Sequence, residues 1–296
     1  MALIVGPTAS GKSALALKLA KKQPSVIINA DSAQVYSDLQ ILSARPNAQE
    51  MEGVDHRLYG YIDGADTCSA ARWASDAKDE ISAAHDKGLL PILVGGTGLY
   101  IRTLLDGIAP IPEISSAVRA QVREMDVADA YAALLSEDPD SAARLNARDS
   151  SRIMRALEVV RSSGKPMGHW HAHMAGGISD NIALRPLVLL PPRDWLYERC
   201  DRRFQIMLDQ GAQEEVQKLL ARDLPTDCPV MRAIGVPEII AMIKGDSSLE
   251  DARTRAMAAT RQYAKRQYTW FRNQCPKHWP RLDWIINNEN MDNIVI

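Results

Sequence analysis

Hydrophobic positions along the chain follow two rhythms: short unbroken runs, and longer stretches in which apolar residues return every three or four positions. The first run, "ALIV" from Ala2 to Val5, leads into a glycine loop, and "SALALKLAKK" behind it carries the helical rhythm. "SVIINA" reads as a second strand and delivers Asp31 at its carboxyl end. From Ser69 to Lys87 the residues Trp73, Ala77, Ile81 and Ala84 keep to one helical face, and Gly88 suits the stop. "LLPILV" is a further buried strand running into "GGTG", with "LYIRTLLDG" as the next helix. This alternation predicts an α/β chain with parallel strands and helical crossovers, whose ligands gather at the carboxyl ends of the strands. The glycine loop, Asp31 and Gly95 to Gly98 are therefore expected on one rim.

After "APIPE" the rhythm changes, and from about Ser115 to Gly164 the chain is helical, charged and rich in alanine, with no convincing strand. Residues 111–181 are expected to form an inserted all-helical subdomain within a discontinuous core of residues 1–110 and 182–296, bounded by "PIP" and the loose "HAHMAGGISDN". Strand character returns at "LRPLVLL", followed by a helix from Asp194 to about Gln210, a long basic helix and a last short strand in "RLDWII".

Composition adds limits. A chain of 296 residues that is 46% hydrophobic and 24% charged is that of a folded protein, and no apolar run reaches the length of a membrane span. A signal peptide at the N-terminus would be removed together with the glycine loop, so a cytoplasmic protein with no membrane partner is expected. Cys68, Cys200, Cys228 and Cys275 lie far apart, with no C-x-x-C spacing, and read as isolated reduced thiols. A net charge of -2 argues against bulk nonspecific binding of nucleic acid, yet six Lys or Arg and no acid lie between Arg253 and Arg272.

The glycine loop is the strongest chemical signal. Gly6, Gly11, Lys12 and Ser13 meet the G-x-x-x-x-G-K-[ST] spacing after a strand and at the opening of a helix. Gly6, Pro7, Thr8, Ala9, Ser10 and Gly11 can fold around an anion, with Lys12 on its oxygens and the Ser13 hydroxyl placed to ligate Mg²⁺. The fold expected is thus a P-loop core. In an ATPase the metal also needs an acid at the end of a second strand, but "LLPILV" ends in Gly95, Gly96 and Thr97. Asp31, 19 residues after Lys12 in the sequence, suits an acceptor's proton or a cap on the next segment. Thr97 suits a helix cap or a hydroxyl facing the acceptor. Arg199 and Arg203 share one helix face, there to hold charge on a leaving diphosphate or to meet solvent.

"GPTASGKS", "NADSAQVY", "PILVGGTGLYI", "RIMRALEV", "RRFQIML" and "TRQYAKRQYTWFR" occur together and in order, and with them the chain resembles the tRNA dimethylallyltransferases from Leu3 to about Arg272. The resemblance implies a P-loop α/β core with an inserted helical domain, a monomer, and transfer of the five-carbon group of dimethylallyl diphosphate. The acceptor implied is N6 of the adenosine 3′ of the anticodon in tRNA. Asp31 then corresponds to the general base, Thr97 to a threonine beside it, and Arg203 to an arginine on the donor diphosphate. Asp31, Ser32, Ala33 and Gln34, Arg119, Ser151, Arg152, Ile153, Met154 and Arg155, and the segment from Arg232 to Pro237 match segments associated with tRNA contact. Arg261, Lys265, Tyr268 and Arg272 fall on one side of the long helix, cations interleaved with an aromatic as RNA binding favours.

The chain departs from the family at "QILSARP", Gln40 to Pro46, where an acid and a glycine are lost, and at Val236 and Pro237. "HWHAH", His169 to His173, has no carboxylate or cysteine nearby to complete a metal site, and His56 suits packing. Two other readings use the same loop: a small-molecule or nucleoside kinase, with "NARDSSRIMR" as its lid, and a nucleotide-dependent switch that binds partners without forming product.

Overall fold

The computed structural model describes residues 1–287, 289–291 and 294. The chain divides into two compact units, one of Met1–Arg102 with Asn181–Ile296 and one of Thr103–Asp180.

In the first unit β1 (Ala2–Val5) runs into the glycine loop and α1 (Lys12–Ala20), followed by β2 (Ser25–Asn29), β3 (Asp55–Arg57), α2 (Ala70–Asp86) and β4 (Leu90–Gly95), and the sequence passes from this unit to the second within α3 (Gly98–Asp106). The second unit holds β5 (Gly107–Ile108), α4 (Ser116–Arg123), α5 (Val127–Glu137), α6 (Pro139–Ala142), α7 (Ser150–Ser163), α8 (Met167–His171) and β6 (Ala175–Gly176). The first unit resumes with β7 (Arg185–Leu189), α9 (Arg193–Asp209), α10 (Ala212–Leu220), α11 (Val236–Ile243), α12 (Leu249–Gln274) and β8 (Arg281–Leu282).

Among the described residues six parallel strands stand in the order β3-β2-β4-β1-β7-β8, so the expected parallel P-loop core is the fold observed. β1 lies between β4 and β7, with Leu3 opposite Leu93 on one side and Pro186 on the other. One core cluster takes alternate residues, Ala2 and Ile4 from β1, Ile92 and Val94 from β4, Leu187 and Leu189 from β7, and closes them against Leu15 and Ala16 of α1. That is the two-residue period of a strand expressed as packing. The strand β3 was not anticipated: "DHR" is polar throughout, and it sits at the sheet edge beside β2. His56 lies on it, its Nδ1 2.9 Å from the Val54 carbonyl.

In the second unit α4, α5, α6 and α7 enclose Val122, Ala130, Leu134, Ala142, Ile153, Ala156 and Leu157. Glu158, buried on α7, is held by Arg123 at 3.3 Å and Arg155 at 3.7 Å. The "HAHMAGGISDN" stretch is less loose than expected: β6 pairs antiparallel with β5, and a Cβ at Gly107 would lie 2.2 Å from the Ala175 carbonyl oxygen. The four cysteines are free thiols. Among the described residues no helix is long and apolar enough to cross a membrane.

Candidate active site

β1 and β4 are neighbours, so the loops leaving their carboxyl ends meet on one rim, together with the turn that follows β2. Gly6 is obligatory in the first loop, because a Cβ there would come within 2.4 Å of the Leu189 carbonyl oxygen. Ala9 and Gly11 take left-handed backbone, with φ of 62° and 95°. Gly11 caps α1 without a side-chain hydrogen bond, which leaves the amides of the first turn to face an anion. The Ser10 hydroxyl is buried in the same loop with no hydrogen-bond partner among the described residues.

Lys12 donates to the Pro7 carbonyl at 2.6 Å. Burial lowers its pKa to about 8; Asp31 works in the opposite direction and Arg203 adds to the depression. Arg203, from α9, is also pushed down by burial, with Cys200 and Asp31 supporting its charge, and it donates to the Thr8 hydroxyl. Arg199, one turn earlier, donates to the Ala9 carbonyl at 2.9 Å and lies 4.7 Å over the Trp195 ring. Two desolvated cations beside a half-bare helix terminus make a site for a strongly negative group.

Asp31 is held by a turn built on Asn29, which is fully buried. The Asn29 side chain accepts from the Asp31 amide at 2.9 Å and donates to the Asp31 and Leu58 carbonyls at 3.0 Å each. One carboxylate oxygen of Asp31 accepts from the Ala33 amide at 3.0 Å, so the residue caps its own turn while lining the site. Thr97 also joins both readings. Its carbonyl accepts from Ile101 at the start of α3, and its hydroxyl accepts from the Ser32 amide at 2.9 Å and donates to the Ser32 hydroxyl at 3.1 Å. Thr97 thus braces the Asp31 turn through Ser32.

Two cavities open on this rim. One, of about 500 Å³, is lined by the phosphate loop with Ser13, Glu50, Arg199 and Arg202. The other, of about 400 Å³, is lined by Tyr36, Tyr100, Phe204, Met207, Arg232, Tyr263 and Arg266. Thr8, Asp31, Ser43 and Arg203 belong to the walls of both. Burial raises the phenols of Tyr36, Tyr100 and Tyr263 above their usual range, so these three stay uncharged, and the charge on this second wall comes from Asp31, Arg203, Arg232 and Arg266. Tyr100 also stacks on Trp73 at 4.6 Å.

A cradle for phosphates and an aromatic chamber that share an acid and an arginine are the parts of a group transfer from a diphosphate. The model of the family described as "IPP transferase" matches residues 34–274. The chain belongs to the IPP transferase family. The tRNA dimethylallyltransferase of Erythrobacter litoralis is 59% identical over 96% of this chain and 91% of that protein. That of Sphingopyxis alaskensis is 57% identical over 100% and 97%. Among solved structures, the tRNA isopentenylpyrophosphate transferase of Bacillus halodurans superposes with a TM-score of 0.71 at 32% identity, over 99% of this chain and 93% of that one. A eukaryotic dimethylallyltransferase acting on tRNA gives 0.79 at 29% identity, over 91% and 69%.

Against the IPP transferase pattern, several expected RNA contacts stand differently in the fold. Ile153 is fully buried in the core of the second unit, while Ser151, Arg152 and Arg155 are exposed on α7 and Arg119 on α4. Tyr268 is not a free stacking platform: its hydroxyl donates to the Leu190 carbonyl at 3.2 Å and Arg193 covers its ring at 4.7 Å. Arg261 pairs with Asp201 at 2.6 Å, whereas Lys265 and Arg272 are exposed. Arg232 lines the aromatic cavity. Val236 is fully buried and opens α11, so the departure there supplies a helix start. In the departure at Gln40 to Pro46, Arg45 turns inward to the Ser37 carbonyl, and one carboxylate, Glu215 of α10, accepts from the amides of Gln40, Ile41 and Leu42 at 2.6, 2.7 and 2.9 Å.

Residues that sequence reasoning passed over include Asn29, hidden in a hydrophobic run, Glu215, and the inward stripe of α12. The available signal for that stripe was an aromatic and an amide, Tyr263 and Gln267, at helical spacing within a cationic segment.

Proposed function

We propose that the protein transfers the dimethylallyl group of dimethylallyl diphosphate to N6 of the adenosine 3′ of the anticodon in tRNA, as its family membership and its relatives' names support. The observation that carries the chemistry is the pair Asp31 and Arg203 in the common wall of the two cavities. The diphosphate sits in the loop cavity, and the five-carbon tail and the acceptor base meet at the shared wall. The bond between C1 and the diphosphate oxygen breaks, its electrons leave with the diphosphate, and the N6 lone pair forms the new bond to C1. Lys12, Arg203 and the loop amides hold the charge that grows on the leaving group, and Asp31 takes the proton released by N6. An adenine stacked in an anticodon loop must be turned out to reach this wall, at a cost of about a few kcal/mol.

The donors present fit Mg²⁺: the Ser13 hydroxyl, the unpartnered Ser10 hydroxyl, and the carboxylates of Asp31 and Glu50 line one cavity. Among the described residues no three His, Cys, Asp or Glu cluster as a cage for a metal. This suits an ion held largely by substrate phosphates, with Ser13 as the protein's ligand. Bound there, Mg²⁺ would supply further positive charge for the departing diphosphate.

For RNA we propose Ser32, Ala33, Gln34, Arg232 and Lys265 in the first unit and Arg119, Ser151, Arg152, Met154 and Arg155 in the second. A tRNA substrate supports work in the cytoplasm, and a monomer is proposed from the family resemblance. The kinase reading is not favoured, since β4 ends in glycine and the family and the named relatives are those of prenyl-group transfer. Purified protein with Mg²⁺, unmodified tRNA and either dimethylallyl diphosphate or ATP tests the proposal by mass analysis of nucleosides. Prenylated adenosine with the allylic donor alone is expected; ATP consumed on addition of a nucleoside, with no tRNA product, would overturn it.

A further inference from the structure

Helix α12 presents outward cations, but its inner stripe touches the reaction rim. Gln267 is 5% exposed. Its Oε1 accepts from the Thr8 amide at 2.8 Å and its Nε2 donates to the Gly96 carbonyl at 2.9 Å. The two partners belong to different loops, at the carboxyl ends of the adjacent strands β1 and β4. We propose that Gln267 is a positioning residue of the transfer, a single amide that fixes the distance between the leaving-group loop and the loop that braces the acceptor-side acid. The proposal rests on the transferase reading.

Three observations converge on this role. On the donor side, Thr8 is the residue whose hydroxyl accepts from Arg203, so the hold on its amide also sets the cation that faces the diphosphate. On the acceptor side, Gly96 precedes Thr97, whose hydroxyl takes the Ser32 amide in the Asp31 turn. The glycines of the second loop are shaped to the helix: a Cβ at Gly96 would lie 2.3 Å from Gln267 Nε2, and one at Gly98 would lie 2.4 Å from the Trp270 ring. Tyr263, one turn earlier on the same stripe, lines the aromatic cavity together with Asp31 and Ser32. A buried polar side chain on a packing stripe is costly unless both its functions are met, and here both are met by backbone groups of the two loops. Only a neutral group that donates and accepts at once fits between an N–H and a carbonyl.

That requirement yields the test. In Gln267→Glu the carboxylate still accepts from Thr8 but faces the Gly96 oxygen without a hydrogen; protonated, it restores both bonds. Steady-state transfer by wild type and variant is followed with pH, with donor and tRNA KM measured separately and thermal midpoints recorded at each pH. At neutral pH kcat is expected to fall about 10²-fold, the loss a displacement of roughly 1 Å brings, while donor KM stays within a few-fold. As pH falls, the variant should regain kcat over a range where wild type does not rise. Gly96→Ala, which displaces the Gln267 nitrogen, should lower kcat similarly, and the double variant should lose no more than either alone. This second variant decides the matter if Gln267→Glu does not fold. A folded variant with wild-type kcat, or a loss that is independent of pH and tracks the thermal midpoint, would overturn the positioning role. Wild type run alongside keeps the two ideas apart, because its failure to prenylate tRNA would count against the transferase reading instead.

Discussion

The depressed pKa of Lys12 makes donor binding a proton-linked event. In the protein alone the ammonium is held at about 8, against an ordinary 10.5, chiefly because burial strips its water. A diphosphate in the loop supplies the missing counter-charge and returns the pKa toward its ordinary value, so binding takes up a proton wherever free Lys12 is neutral. Half of Lys12 is neutral near pH 8, and uptake there should be about half a proton per donor, falling almost to zero near pH 6.5. Affinity should fall about tenfold between roughly pH 7 and pH 9, equivalent to about 1.4 kcal/mol. Calorimetry with a non-reactive allylic diphosphate analogue, in buffers of different ionisation enthalpy, reads the uptake directly, and Lys12→Met should bind more weakly and without the pH step. Binding enthalpies near pH 8 that do not depend on the buffer, or the same step in Lys12→Met, would refute the argument. Stability carries the opposite sign: the fold penalises the charged form, so the penalty is present below about pH 8 and relieved as pH rises from there toward 10.5.

Asp31→Asn keeps an oxygen for the Ala33 amide, so the turn should persist while transfer falls by about 10²- to 10⁴-fold. Donor affinity measured by calorimetry should change little; an equal loss would move Asp31 to the diphosphate site. Glu215→Ala removes the common acceptor of three amides in the departure at Gln40 to Leu42. At roughly 1 kcal/mol per bond, discounted for solvent access, the variant should lose about 2 kcal/mol and several degrees of thermal midpoint. An unchanged melting curve would show that this loop does not depend on the carboxylate.

Where local rules suffice, the chain was readable in advance. Ala2 to Val5, the glycine loop and α1 follow from an apolar run, a spacing and a helical rhythm; Ser69 and Gly88 bracket α2 as a cap and a stop should. Shape made by contact was not readable. Asp55, His56 and Arg57 form a strand because Val26, Ile27 and Ile28 offer them an edge, and no residue among the three announces it. Arg261 and Tyr268 stand out in the sequence by type and spacing, but nothing there announces that Asp201 pairs with the one and the Leu190 carbonyl accepts from the other. Asn29 and Gln267 went unnoticed for the converse reason: a lone buried amide has meaning only through the backbone groups it joins.

The strand order bears on the birth of the molecule as well as on its work. β1 is made before both of its neighbours, one of which is β7, and the Met1 nitrogen donates to the Ala183 carbonyl, 182 residues later. Everything from Thr103 to Asp180 must leave the ribosome before that flank can close. The helical unit, whose contacts are local, can settle during translation; the phosphate loop, rooted on β1, waits with one side open until the second half of the sheet arrives. An exposed apolar strand held in that state through much of synthesis is a point at which chaperones would be expected to attend this chain.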